Sequence, residues 1–174
     1  MLAWEAISIV AEYLPKVLND LGNIEDREKM AYADILAGLC IANAGVTLPH
    51  GMGMAIGGMY PHVAHGESLA IVYPAFAEFT WETAIPQFAK LARALNPALI
   101  VVADSDAASK SPDEIVNFLS NIGLYKTLKD VDIPESEIEA LAKQCMVLPD
   151  YKGNPRVASL VDMITLVRQS YDRL

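Results

Sequence analysis

Apolar residues recur at helical spacing along most of this chain, and only one short segment favours a β-strand. The first apolar stripe, at intervals of three to four residues, predicts an opening helix and comprises Trp4, Ile7, Val10, Ala11 and Leu14. Residues 99–102 are β-favouring, but no partner strand is evident, so we expect a buried helical turn or loop there. The sequence therefore predicts an all-α fold, a single multi-helix domain over residues 1–174.

Capping residues and prolines predict where the first two helices end. Asn23 and Gly45 are suited to cap the two ends of an alanine-rich helix over residues 24–44. Its second half, residues 35–44, is nearly free of charge, and we expect it to be the buried central helix. Pro15 is expected to end or kink the opening helix, because proline lacks an amide proton.

Three further signals lie in the second half of the chain. Residues 111–114, Ser-Pro-Asp-Glu, combine a capping box with proline at the first helical position, which predicts a helix start. Residues 103–109 are small and polar and predict a flexible loop. Asn154 and Pro155 are expected to introduce a last helix that runs to about Arg173.

Composition excludes several classes of function. The chain has 53% hydrophobic and 20% charged residues, as in a compact globular protein, and a formal net charge of −9, which argues against nucleic-acid binding. No uninterrupted apolar stretch reaches the roughly 18 residues of a membrane span, and no secretory signal is recognisable, so a cytoplasmic location is expected. Cys40 and Cys145 are best interpreted as reduced core thiols.

All three histidines, His50, His62 and His65, lie within one glycine- and methionine-rich stretch, residues 49–66. Imidazole is the commonest protein ligand for metals near neutral pH, so the cluster is a candidate metal site. His50 and His65 are each followed by glycine, which removes side-chain bulk beside the imidazole. Spacing alone still favours structural or surface histidines over ligands. Glu67 could orient an imidazole, but a solvated carboxylate at a helix start is favoured.

A longer composite motif resembles the iron-containing alcohol dehydrogenases. It begins with residues 37–45 (AGLCIANAG) and continues through 48–52 (LPHGM), 57–60 (GGMY), 65–66 (HG) and 73–74 (YP). Residues 5–16 and 27–31 resemble the preceding helices of the family, and residues 154–156 (NPR) resemble a segment near its carboxyl end. The resemblance therefore implies the helical carboxyl-terminal domain of that family, shared in fold with dehydroquinate synthase-like proteins.

The resemblance also implies a site. In the family one aspartate and three histidines hold a divalent metal, and His50 and His65 correspond to the last two ligands. The other two ligands belong to a helix that would precede Met1. Fe²⁺ or Zn²⁺ and NAD(P) are the implied cofactors, with the nicotinamide bound in a separate α/β domain, and a small alcohol or aldehyde is the implied substrate.

The sequence departs from the family pattern in three ways. No glycine-rich loop follows a strand, so we reject phosphate binding by the glycines of this chain. Met54 occupies a position where many members carry another histidine, which removes any proton relay there. The interval from His50 to His65 is one residue longer than in much of the family, so His62 could be an alternative ligand or a group that supports one. His65 is favoured because Gly66 accompanies it.

The predicted function is therefore that of a helical metal-ligand domain over residues 1–174, without the amino-terminal nucleotide-binding domain. By itself the chain is expected to bind metal weakly, to have no dehydrogenase activity, and to form homo-oligomers through apolar surface. One alternative is a non-enzymatic helical module that keeps the fold for interaction or structure. A third hypothesis, with less support, is a small histidine-based metal-binding protein.

Overall fold

The structure is a computed structural model that describes residues 1–172 of the 174. Within residues 1–172 it contains nine α-helices, five short 3₁₀ helices in some of the connections between them, and no β-strand. The helices are α1 (Leu2–Asn19), α2 (Ile24–Ala44), α3 (Leu48–Met59), α4 (His65–Thr80), α5 (Ile85–Leu95), α6 (Asp104–Ser109), α7 (Ser111–Asn121), α8 (Ile138–Cys145) and α9 (Leu160–Tyr171). The all-α prediction is confirmed.

Helix α4 is the central helix of the fold. One side of it packs against α3 and α9, and Ile71, Val72 and Ala75 join the largest cluster of buried side chains, to which α8 also contributes. Its other side packs against α7, and Ala70 and Ala77 join a second cluster that includes residues of α5 and α6. Because α4 connects both clusters, its first residue is held on a rigid element.

The prediction that α2 is the buried central helix is wrong, although its boundaries are correct. The side-chain oxygen of Asn23 accepts a hydrogen bond from the amide of Asp26, and Gly45 ends the helix with φ 73°. Of α2, only Ala33 and Leu36 are buried, whereas Ile35 is 61% exposed. Lack of charge did not indicate burial here, because α2 packs mainly against α1.

Helix α1 does not end at Pro15 but continues to Asn19. Val17, in the turn that follows the proline, is buried, and the amide of Asp20 donates to the carbonyl of Lys16. Packing of this last turn therefore outweighs the hydrogen bond that proline cannot donate.

Residues predicted as a flexible loop instead form α6, because Ala107 and Ala108 are fully buried in the second cluster. The next helix, α7, begins at Ser111 as predicted, but without the expected capping box. The Ser111 hydroxyl donates to the carbonyl of Ala108 at 2.7 Å, because α6 runs directly into α7.

The predicted turn near residues 99–102 is confirmed as a 3₁₀ helix, Pro97–Val101, but its burial is only partly correct. Leu99 is buried, whereas Val101 is 91% exposed. The side chain of Leu99 therefore attaches this segment to the core.

The last helix begins later than predicted. The side-chain amide of Asn154 donates to the hydroxyl of Thr80 and to the carbonyl of Arg156, so this side chain does not cap a helix. Helix α9 starts after Ser159, which forms a capping box with Asp162. The predicted end at Arg173 lies outside the described residues.

Both cysteines are free thiols, as expected, but only one belongs to the core. Cys145 is buried, and burial raises the pKa of its thiol to about 12. Cys40, on α2, is half-buried.

No single helix within residues 1–172 is long and apolar enough to cross a membrane; α2 and α3 pass that test only as a pair, bent by 101°.

Candidate metal centre

His50 lies in the first turn of α3, on a segment that the core holds firmly. Pro49 occupies an amino-terminal position of the helix, where its missing amide proton costs nothing. The flanking side chains Leu48 and Met52 are both 1% exposed. The backbone of His50 is thus fixed by packing, while its side chain stays 34% exposed.

His65 is the first residue of α4, and a buried hydroxyl connects this helix start to α3. The Ser68 hydroxyl lies 2.7 Å from the carbonyl oxygen of His65 and 3.2 Å from that of Gly53. Ser68 is completely buried. The two helices are therefore held together at the position where His65 begins.

The structure brings His50 and His65 together. Their ring centroids lie 5.3 Å apart, and the ring planes meet at 79°. Gly53 permits this approach, because a Cβ atom added there would lie 2.9 Å from Leu69 Cδ2, 3.1 Å from Ser68 Oγ and 3.4 Å from His65 Cε1. A side chain at residue 53 would thus push α4 away from α3.

Asp150 is a site residue that the sequence did not reveal. Its Oδ2 lies 2.9 Å from Nδ1 of His50, and its side chain is 19% exposed. It reaches α3 from the 3₁₀ turn Pro149–Gly153, and Gly51 makes room for it, since a Cβ added at residue 51 would lie 3.3 Å from Asp150 Cβ. One hundred residues separate Asp150 from His50, so no local pattern could indicate the pair.

His62 is directed elsewhere. Its Nε2 lies 2.9 Å from the carbonyl oxygen of Val131, and its ring packs edge-on against Tyr60 with centroids 6.3 Å apart. Since a carbonyl can only accept, Nε2 of His62 is the donor. That nitrogen is therefore engaged with the backbone.

Two neighbours of the imidazole pair have no hydrogen bond to it. Glu67 forms an ion pair with Lys126, and the hydrogen bond from Lys126 holds the pKa of the Glu67 carboxyl below its ordinary value. Met54 lies one helical turn beyond His50 and is 47% exposed. Glu67 is thus a partly buried helix-start carboxylate that forms a salt bridge with Lys126.

The donor set is suitable for a metal ion but small. A histidine that ligates a metal through one ring nitrogen commonly donates its other N–H to a carboxylate, a backbone carbonyl or water. Across residues 1–172, however, no group of three or more histidine, cysteine, aspartate or glutamate side chains is placed to hold an ion. The described residues fit part of a metal site.

Comparison with known proteins identifies the family. The model described as Fe-containing alcohol dehydrogenase family, C-terminal, matches residues 1–171, and the chain belongs to this family. The NAD-dependent methanol dehydrogenase of Bacillus methanolicus is 29% identical over 97% of the chain. Long-chain-alcohol dehydrogenase 1 of Geobacillus thermodenitrificans is 31% identical over 83% of it.

Solved structures agree with this result. A 1,3-propanediol oxidoreductase superposes over 98% of this chain with a TM-score of 0.91 and 27% identity. An archaeal alcohol dehydrogenase from a Red Sea brine pool superposes over 97% of it with a TM-score of 0.90 and 33% identity. The chain spans 44% of the methanol dehydrogenase and 44% of the propanediol oxidoreductase, which is less than half of each.

Proposed function

We propose that this chain is the helical half of a metal-dependent NAD(P) alcohol dehydrogenase and that His50 and His65 supply two ligands to its divalent metal. The observation that carries the proposal is the pair of imidazoles 5.3 Å apart at the junction of α3 and α4. Within residues 1–172, no hydrogen bond engages the ring of His65 or the second ring nitrogen of His50. These nitrogens are therefore available to a metal.

In the proposed enzyme, residues outside this chain complete the site. An aspartate and a third histidine would supply the remaining ligands, and an α/β domain would bind NAD(P). The metal, Fe²⁺ or Zn²⁺, supplies Lewis acidity that favours the alkoxide form of an alcohol and so promotes hydride transfer. The residues of this chain would hold and orient the two histidine ligands. Ser68 fixes His65 against α3, and core packing fixes the backbone of His50.

The names of the relatives support a class of substrate, because they specify methanol, 1,3-propanediol and long-chain alcohols. We propose a small alcohol or aldehyde for the enzyme that contains this chain, with the cytoplasm as its location. Met54 cannot relay a proton, so proton exchange with solvent would proceed by a route that does not use this position.

The direct test of activity uses the purified chain with NAD⁺ or NADP⁺ and a series of primary alcohols. We expect no reduction of the cofactor, because two imidazoles and no cofactor domain do not make an active site. Joining the chain to the amino-terminal half of the Bacillus methanolicus enzyme should restore activity, and His50→Ala in the chimera should abolish it. Cofactor reduction by the purified chain alone, or an active His50→Ala chimera, would contradict the proposal.

One observation favours the alternative, a helical module without catalysis: within residues 1–172, no third histidine, cysteine, aspartate or glutamate is placed to hold an ion together with His50 and His65. The dehydrogenase and the non-catalytic module predict different coding sequences upstream of this one in its gene. An in-frame segment encoding a glycine-rich α/β domain and an aspartate four residues before a histidine would support the dehydrogenase. A preceding segment that lacks both would support the module.

We also propose that the chain self-associates, because α1 and α2 expose apolar side chains. Residues at least 40% exposed on or between these helices are Leu2, Leu18, Leu21, Ile24, Tyr32, Ile35, Leu39 and Ile41. Light scattering over a range of concentrations should show a dimer or larger species. A monomer at every concentration would exclude self-association.

A further inference from the structure

We propose that Asp150 is a positioning residue, which holds His50 in the one neutral tautomer that can bind a metal beside His65. The inference deepens the proposed function and rests on it. It starts from the 2.9 Å contact between Asp150 Oδ2 and His50 Nδ1. An ionised carboxylate only accepts hydrogen bonds, so Nδ1 must carry the proton. The lone pair of the neutral ring is then on Nε2.

Local packing shows that the contact is built into the fold. Asp150 is only 19% exposed, and Gly51 leaves it space against α3. Gly53, on the same helix, leaves space for His65. The two glycines thus leave space for a carboxylate and a second imidazole close to His50. Glycine inside a helix is less stable than alanine. The close approach of Asp150 and His65 to α3 explains why positions 51 and 53 nevertheless carry no side chain.

Burial strengthens the effect of the carboxylate. A hydrogen bond to a charged group in a partly buried setting is about twice as strong as a neutral one. By fixing the ring, Asp150 also reduces the rotational freedom that His50 would lose on binding an ion. Removal of such a carboxylate typically costs about 10- to 100-fold in metal affinity.

His62 provides an internal control, because its hydrogen bond requires the opposite tautomer. Its Nε2 donates to the carbonyl of Val131, which leaves the lone pair of the neutral ring on Nδ1. His50 and His62 should therefore differ in tautomer within one metal-free protein. No variant is needed for this comparison.

Nitrogen-15 NMR of the histidine rings tests the inference on the metal-free chain at about pH 8.5, where an ordinary histidine is neutral. We expect His50 as the Nδ1–H tautomer and His62 as the Nε2–H tautomer. In Asp150→Asn, whose amide can donate as well as accept, His50 should become a mixture. Glu67→Gln is the control, because Glu67 pairs with Lys126, and it should leave His50 unchanged. An Nε2–H tautomer for His50, or one that Asp150→Asn leaves unaltered, would overturn the inference.

Cobalt(II) titration of the same proteins separates this inference from the proposed function. Asp150→Asn should weaken Co²⁺ binding about 10- to 100-fold, whereas Glu67→Gln should not change it. If Co²⁺ binding is unaffected by His50→Ala, the proposed function fails whatever the tautomer. If His50→Ala abolishes binding but Asp150→Asn leaves affinity unchanged, the proposed function stands and the positioning role fails.

Discussion

Two helical pairs in this protein have similar apolar composition but different environments. The pair α3–α4 is part of the largest buried cluster, and α3 alone has seven buried residues among twelve. The pair α1–α2 buries only four residues among thirty-nine and exposes large apolar side chains such as Ile35 and Ile41. The candidate metal centre lies on the first pair. The rigidity of this centre therefore does not depend on the packing of α1–α2.

Apolar content alone therefore does not identify the core of such a chain. The contacts of α1–α2 with the remaining helices are few, and one of them places Lys90 of α5 over the ring of Trp4 at 4.5 Å. A cavity of about 480 Å³ lies between α1–α2 and the helices α4, α5 and α7. Within residues 1–172, the packing of α1–α2 against the rest of the fold is therefore incomplete.

The strongest destabilisation is expected when a core side chain of α8 is truncated. Leu141 is completely buried in the main cluster, so Leu141→Ala should lower the free energy of unfolding by about 2–5 kcal/mol. Its counterpart Ile35→Ala, on the exposed side of α2, should change that free energy by less than about 0.5 kcal/mol. Urea denaturation measures both. Similar losses for the two variants would mean that α2 is packed as tightly as α8.

A smaller effect is expected at the helix contact that brings the imidazoles together. Gly53→Ala places a methyl group against Leu69, Ser68 and His65 and should destabilise the protein by about 1–3 kcal/mol. Gly57→Ala, one turn further along α3, meets nothing within 4 Å and should stabilise it by up to about 1 kcal/mol. Thermal unfolding, monitored by circular dichroism, distinguishes destabilisation by Gly53→Ala from stabilisation by Gly57→Ala. Stabilisation by both substitutions would show that α3 and α4 do not approach closely at Gly53.

Alkylation of the two thiols perturbs the fold least and compares Cys145, in the main core, with Cys40, on α2. The thiolate is the reactive form, and burial raises the pKa of Cys145 to about 12, so this residue should resist alkylation in the folded protein. Cys40, half-buried on α2, should react with iodoacetamide near pH 8. Mass spectrometry with and without denaturant reads each site. Labelling of Cys145 at the rate of Cys40 would mean that the main core opens as readily as α1–α2.

The sequence predicted the helical fold and the pairing of His50 with His65, but not what holds them. Asn23 and Gly45 mark the ends of α2 because capping is a local interaction. The exposure of α2 and the burial of α6 were predicted wrongly, since tertiary packing decides both. Asp150 was missed because chain topology alone brings it to His50, across one hundred residues.

Metal titration of the purified chain tests whether His50 and His65 form a partial metal site. We expect weak Co²⁺ binding that is lost in both His50→Ala and His65→Ala. Binding should be retained in His62→Ala, because within residues 1–172 no third histidine joins His50 and His65 in a group able to hold an ion. Tight stoichiometric binding by the chain alone, or weak binding that survives loss of His50 and His65, would contradict the assignment of these two histidines as a partial metal site.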